Sequence, residues 1–213
     1  MHRTRLLMTL AVLAVALALP SVAQAQSLGI NYFDNANTSQ PDGTVRITTP
    51  HLRAFATGLA GHGVSQCALI YVLKPDQELA ACCGCEITPN GLLKLSVNND
   101  LTLNTLSAVG PAGTIAIVPS LPNHPAVLPA VLPTCDAGLP SVPSATAGTA
   151  FVTAWATHVQ DSGAITEDDF DFSTDAGARA TATALWLECQ TFVQGNGSGS
   201  GVCTCGSGSG TVW

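Results

Sequence analysis

Cys67-Ala-Leu-Ile-Tyr-Val-Leu73, followed by Lys74-Pro75-Asp76-Gln77 and then Glu78-Leu-Ala-Ala-Cys82-Cys83-Gly84-Cys85, decides how the chain is read. The first seven residues are apolar almost without a break, which suits a strand buried on both faces in the middle of a sheet. Pro75-Asp76 supplies a turn, and Glu78 to Cys83 returns as the second arm of a hairpin. If the turn pairs Leu73 with Glu78, Cys67 falls opposite Gly84, within one residue of Cys83 and Cys85. A bridge from Cys67 to one of those two is therefore expected. Cys82 and Cys83 point to opposite faces of a strand and should bond to different partners.

Working outward, the punctuation is that of a β protein. Leu28-Gly-Ile30-Asn-Tyr32 alternates, Thr44 to Thr49 follows the Asp42-Gly43 turn, and Pro89-Asn90-Gly91 precedes Leu92 to Val97. Thr114 to Val118 is a further short strand. From Pro119 to Pro143 prolines crowd together, with Ala126-Val-Leu-Pro129 repeated as Ala130-Val-Leu-Pro133, which opposes both helix and ladder pairing. This stretch reads as an excursion tethered by Cys135. A late strand over Phe151 to Val159 places Phe151, Thr153, Trp155 and Thr157 on one side. Ser173-Thr174-Asp175 then offers an N-cap for a helix over Ala176 to Val193, with Leu185, Cys189 and Phe192 as its apolar stripe.

The expected fold is mainly β: an antiparallel β-sandwich with a Pro-rich excursion and one C-terminal α-helix, stapled by disulfides. Its organisation is a signal peptide over 1–25, an N-terminal strand-like arm and spacer over 26–40, and a β-rich core over 41–118. The excursion covers 119–148, the late strand and helix 149–194, and a Gly/Ser-rich, cysteine-containing tail 195–213.

His2, Arg3 and Arg5, the apolar run from Leu6 to Leu19 and the small-x-small Ala23-Gln24-Ala25 form a secretory signal, cleaved near Ala25. That run is shorter than the roughly 20 residues that span a bilayer, and nothing later could span one. Secretion or display on the cell surface follows. Without Arg3 and Arg5 the formal net charge moves from −7 to −9, which argues against a nucleic-acid partner and makes a cation the more natural one.

The eight cysteines, Cys67, Cys82, Cys83, Cys85, Cys135, Cys189, Cys203 and Cys205, all lie in the exported part. An even count outside the cytosol reads as up to four disulfides, with Cys189 the nearest partner for the tail. Cys82-x-x-Cys85 also has the spacing of a redox pair or half a zinc site, with Cys203-x-Cys205 as the other half. Its setting between strands favours structural bonds.

Cys82-Cys-Gly-Cys-Glu-Ile-Thr-Pro-Asn-Gly-Leu-Leu-Lys-Leu-Ser-Val-Asn-Asn-Asp-Leu-Thr102, with Ala154-Trp-Ala-Thr-His158 and Cys203-Thr-Cys205-Gly206, resembles a group of exported cysteine-rich proteins of soil bacteria for which no activity is known. The resemblance implies secretion and supplies no catalytic residues.

Two candidate sites remain. Asp169, Asp171, Ser173 and Asp175 occupy alternate positions like the oxygen ligands of a calcium loop, although Thr174 and Ala180 stand where an EF-hand needs Gly and Glu. Carboxylates before a helix also complement its dipole. Leu28, Ile30 and Tyr32 form a strand arm ahead of a polar spacer, able to pair with its own sheet or to add to a neighbour's. No Gly-x-Ser-x-Gly elbow or His-Glu-x-x-His occurs. The expected role is a secreted structural or interaction protein, a surface or filament subunit pairing with protein, itself included, and needing no cofactor. A calcium-dependent binding module and an exported hydrolase or thiol oxidoreductase are the rivals, and an enzyme is disfavoured.

Overall fold

The computed structural model describes residues 27–34, 36, 38–49, 65–122, 134–140, 152–160, 162–195 and 197–206. The expected signal peptide, most of the Pro-rich excursion, Phe151, and three histidines (His51, His62 and His124) lie outside them. Among the described residues, nine strands form two antiparallel sheets. Sheet A has the order β4-β3-β6-β1-β9 and sheet B the order β5-β2-β7-β8. In chain order they are β1 (Leu28–Phe33), β2 (Thr44–Thr48), β3 (Gln66–Leu73), β4 (Leu79–Ile87), β5 (Leu92–Ser96), β6 (Gly113–Ser120), β7 (Thr153–Val159), β8 (Ile165–Asp169) and β9 (Asp171–Ser173). Among the described residues one α-helix, α1 (Ala176–Glu188), continues into a π-helical turn over Cys189–Gln194, and a second π-helical turn over Val97–Leu101 follows β5.

Between the sheets lies a core of Ala68, Ile70, Val72, Ile115 and Ile117 against Val45, Ile47, Leu93, Leu95, Ala154 and Ala156. On the far side of sheet A, Leu69, Tyr71 and Val118 pack against Ala178, Ala182, Leu185 and Val193 of the helical segment. β3 is therefore buried on both faces, which explains its unbroken apolar run. β2 and β7 alternate because the outer face of sheet B meets solvent. Burial holds the Tyr71 hydroxyl in its protonated form, and it donates to the Ala137 carbonyl at 2.9 Å. That bond ties the described part of the excursion to sheet A.

The hairpin forms with a different register. Gln77 adopts φ +69° in the turn and a bulge falls between Val72 and Leu73, so Leu73 pairs with Leu79 and Cys67 with Glu86. Directly opposed residues share a face, which puts Cys67 with Cys82 and away from Cys83 and Cys85. The expected bridge from Cys67 to Cys83 or Cys85 is accordingly absent. Cys67 bonds to Cys135, Cys82 to Cys189, Cys83 to Cys203 and Cys85 to Cys205. Both tail cysteines thus reach β4, and the expected link from the tail to Cys189 is replaced by one from the helix to Cys82.

The two tail bonds have the same sequence separation, 120 residues, and the tail runs parallel to β4 through a bridge between Cys82 and Val202. Cys82 N–H donates to the Gly201 carbonyl at 2.8 Å. The edge of sheet A is covered and crosslinked there. At the opposite edge, β8 and β9 are one bent strand that passes from sheet B to sheet A through buried Phe170, whose N–H donates to the Ala154 carbonyl at 2.9 Å. Each side of the sandwich is thereby closed.

Two further expectations change. Pro119 and Ser120 belong to β6, because beyond Ile117 the described β1 ladder has ended and β6 pairs only with β3. Phe192 is 57% exposed and Val193 is buried in its place. The π-helical turn holds more residues per turn than an α-helix and advances the buried stripe by one.

Gly84 lies where an added Cβ would sit 2.2 Å from the Cys135 carbonyl oxygen. Gly84→Ala is expected to lower unfolding free energy by about 1–3 kcal/mol in urea titration. Gly110→Ala, with open space around it, should stay within about 0.5 kcal/mol. Equal effects of the two substitutions would refute this packing.

Candidate functional site

The N-terminal arm is an inner strand of sheet A. Gly29 to Phe33 pair with Ile117 to Gly113 of β6, while Leu28 to Ile30 pair with Ser173 to Asp171 of β9. Its side chains divide by alternation. Leu28 is buried in the helix-side core, and Ile30 and Tyr32 are half-exposed. Gly29 accommodates the Phe172 ring, which an added Cβ would approach to 2.6 Å. Phe33 is buried between the sheets.

A polar cluster fastens this arm to sheet B. Asn31 Nδ2 donates to the Asp168 carbonyl at 3.1 Å. The Tyr32 ring stacks on His158 with centroids 3.9 Å apart and planes 11° from parallel. His158 is 1% exposed, and its Nε2 lies 3.6 Å from Asp168 Oδ2, beyond hydrogen-bond reach. Neither ring nitrogen has a hydrogen-bond partner among the described residues. Partial desolvation, then the nearby Asp168 and Asp34 carboxylates, raises the Tyr32 pKa above its ordinary value and keeps the phenol neutral. The position of His158 was legible in the alternation of β7, which sets it opposite the Trp155 face. Its stacking on Tyr32 joins strands distant in sequence, which no local pattern reveals.

Asp169, Asp171, Ser173 and Asp175 do not surround a common point. Asp169 ends β8 in sheet B, Asp171 and Ser173 lie in β9 of sheet A, and Asp175 caps α1. Their alternate spacing is the period of a bent strand, with Phe170 and Phe172 directed toward the core. Asp175 Oδ1 accepts from Ala178 N–H at 2.7 Å, and Ser173 Oγ donates to Asp175 Oδ2 at 2.9 Å. Arg46 pairs with Glu167 at 3.2 Å across the outer face.

The cysteine spacing has a structural explanation as well. Cys82 faces α1 and Cys85 faces the inter-sheet core, so the two cannot act as a vicinal redox pair. Among the described residues, the one group of three metal-ligating side chains with donor atoms within 4.8 Å of one another is Cys83, Cys85 and Cys205. All three sulfurs are held in disulfides.

The Leu95-Ser-Val-Asn-Asn-Asp100 block is a clasp. Asp100 accepts from Ser96 N–H at 2.7 Å and from Thr204 Oγ1 at 3.0 Å, and its carbonyl accepts from Thr204 N–H at 2.9 Å, joining the end of β5 to the tail. Comparison with known protein families, curated proteins and solved structures returns no match.

Hydrogen bonds from Ala178 N–H and then from Ser173 hold the Asp175 carboxyl below its ordinary pKa. A depressed folded-state pKa adds stability above the unfolded value, and that contribution is lost as pH falls through the folded value. Asp175→Ala should lower Tm at neutral pH, with the gap from wild type narrowing in acid. A gap that stays constant across pH would contradict the assigned cap.

Proposed function

We propose that this chain is a secreted structural or interaction protein of the cell exterior, in which β1 is the interacting strand and a second copy is its partner. The observation that carries this reading is the distribution of covalent bonds. The disulfides tie β3, β4, the chain at Cys135, the helical segment and the tail into one unit, and none reaches β1 or β2. β1 is held by ladder bonds and by the Asn31 and Tyr32 contacts, with only the three-residue β9 on one side.

Removal of β1 would unpair one edge of β6, leave β9 without its only ladder in sheet A and open the core above Phe172. An identical strand from another copy satisfies the same backbone groups in the same register, which is the basis of strand addition and of domain swapping. Two of the sheet edges are poor docking places. β8 carries Glu167, Asp168 and Asp169, and β4 is covered by the tail. Four disulfides belong to an oxidising compartment, and no helix among the described residues is long and apolar enough to cross a membrane.

Deleting the arm would remove an inner strand and disturb folding, so locking it in place is the cleaner experiment. Ile30 and Ala116 are directly paired. Ile30→Cys with Ala116→Cys, oxidised, should leave a folded monomer at concentrations and temperatures where wild type forms oligomers by analytical ultracentrifugation. Oligomers formed equally by the locked variant, or a wild type that stays monomeric throughout, would overturn the proposal.

A further inference from the structure

At the opposite edge of sheet A from β1, a cleft of about 580 Å³ opens between the β3–β4 turn, the loop at Leu106 and the C-terminal end of the helical segment. Leu79, Leu106 and Phe192 give it an apolar lining, and Asp76, Glu78 and Glu188 give it carboxylates. Its volume falls in the range of small-ligand sites. Lys74 pairs with Glu78 and lies 3.5 Å from Asp76, so the turn keeps one uncompensated negative charge and Glu188 adds a second. Among the described residues, no cationic side chain lines the cleft.

Three structural features hold this arrangement in place. The Cys82–Cys189 disulfide fixes the helical wall to β4 three residues before Phe192. Leu106 N–H donates to the Ala80 carbonyl at 2.8 Å, setting the other wall. The π-helical turn that brings Val193 into the core leaves the Phe192 ring uncovered, and such turns recur at functional sites. At the rim, Gln77 holds φ +69°, a backbone conformation that glycine would adopt without strain. A side chain is retained there, and it lines the cleft.

We infer that this cleft binds an organic cation: an ammonium group on an apolar stem, the stem against Leu79 and Leu106 and the charge between Phe192 and the carboxylates. A carboxylate pair and an aromatic face both select a cation over a neutral molecule of the same shape. Free alkylamines and the lysine side chain of a polypeptide share this chemistry. The inference does not depend on strand exchange by β1.

Hexylammonium, hexanol and a capped Leu-Lys-Leu peptide titrated into the full oxidised protein, followed by NMR, test it. Hexylammonium should bind more tightly than hexanol, and added salt should weaken it. Glu188→Gln and Phe192→Ala should each weaken hexylammonium by about threefold or more. Both positions are accessible, and an unchanged Tm and disulfide content would confirm the fold of each variant. Tighter binding of the peptide assigns the cation to a protein partner, and tighter binding of hexylammonium assigns it to a free amine. Equal binding of hexanol and hexylammonium, or undiminished binding by both variants, would overturn the site.

Discussion

In β4, Cys82, Cys83, Gly84 and Cys85 are placed by the two-residue period of a strand, and the rest of the molecule is fastened to that alternation. Cys82 points out of the sandwich and holds the helical segment through Cys189, while Cys83 and Cys85 point into it and hold the tail. Gly84 leaves room for the backbone at Cys135 and Asp136 to lie against the sheet. A slip of one residue would reverse every one of these directions, so register and crosslinking enforce each other. The bonds close loops of more than a hundred residues and disfavour the unfolded chain accordingly.

Much of this was legible from β3 and β4. The apolar run of β3 required burial on both faces, and adjacency of Cys82 and Cys83 required different partners. The partner of Cys67 was not legible. A bridge to Cys83 or Cys85 needed a one-residue slip, whereas the left-handed Gln77 and the bulge at Val72/Leu73 together shift the register by two and preserve its parity. The acidic stretch before α1 was obscured for another reason. Carboxylates are poor strand formers, and β8 and β9 exist because β7 and β1 supply their ladders and because Phe170 and Phe172 are drawn into the core. The exposure of Phe192 was hidden by a change of helical pitch that no heptad count anticipates.

The candidate site shows the same division between local and distant signals. Alternation assigned Leu28, Ile30 and Tyr32 to a strand and to one face. That β1 lies between β6 and β9, with Tyr32 on His158, depends on contacts between segments far apart in the sequence. Covalent closure on the β4 side and non-covalent closure on the β1 side give the sandwich two unequal edges. The rigid edge frames the acidic cleft, and the strand exchange proposed for β1 would act on the non-covalent side.

The account rests on which sulfur meets which, and the most direct measurement is disulfide assignment by mass spectrometry of the unreduced protein with stepwise partial reduction. It predicts no free thiol and four bonds: Cys67 with Cys135, Cys82 with Cys189, Cys83 with Cys203 and Cys85 with Cys205. A bond from Cys67 to Cys83 or Cys85, or from Cys189 to either tail cysteine, would contradict the alternation on which the structure is built.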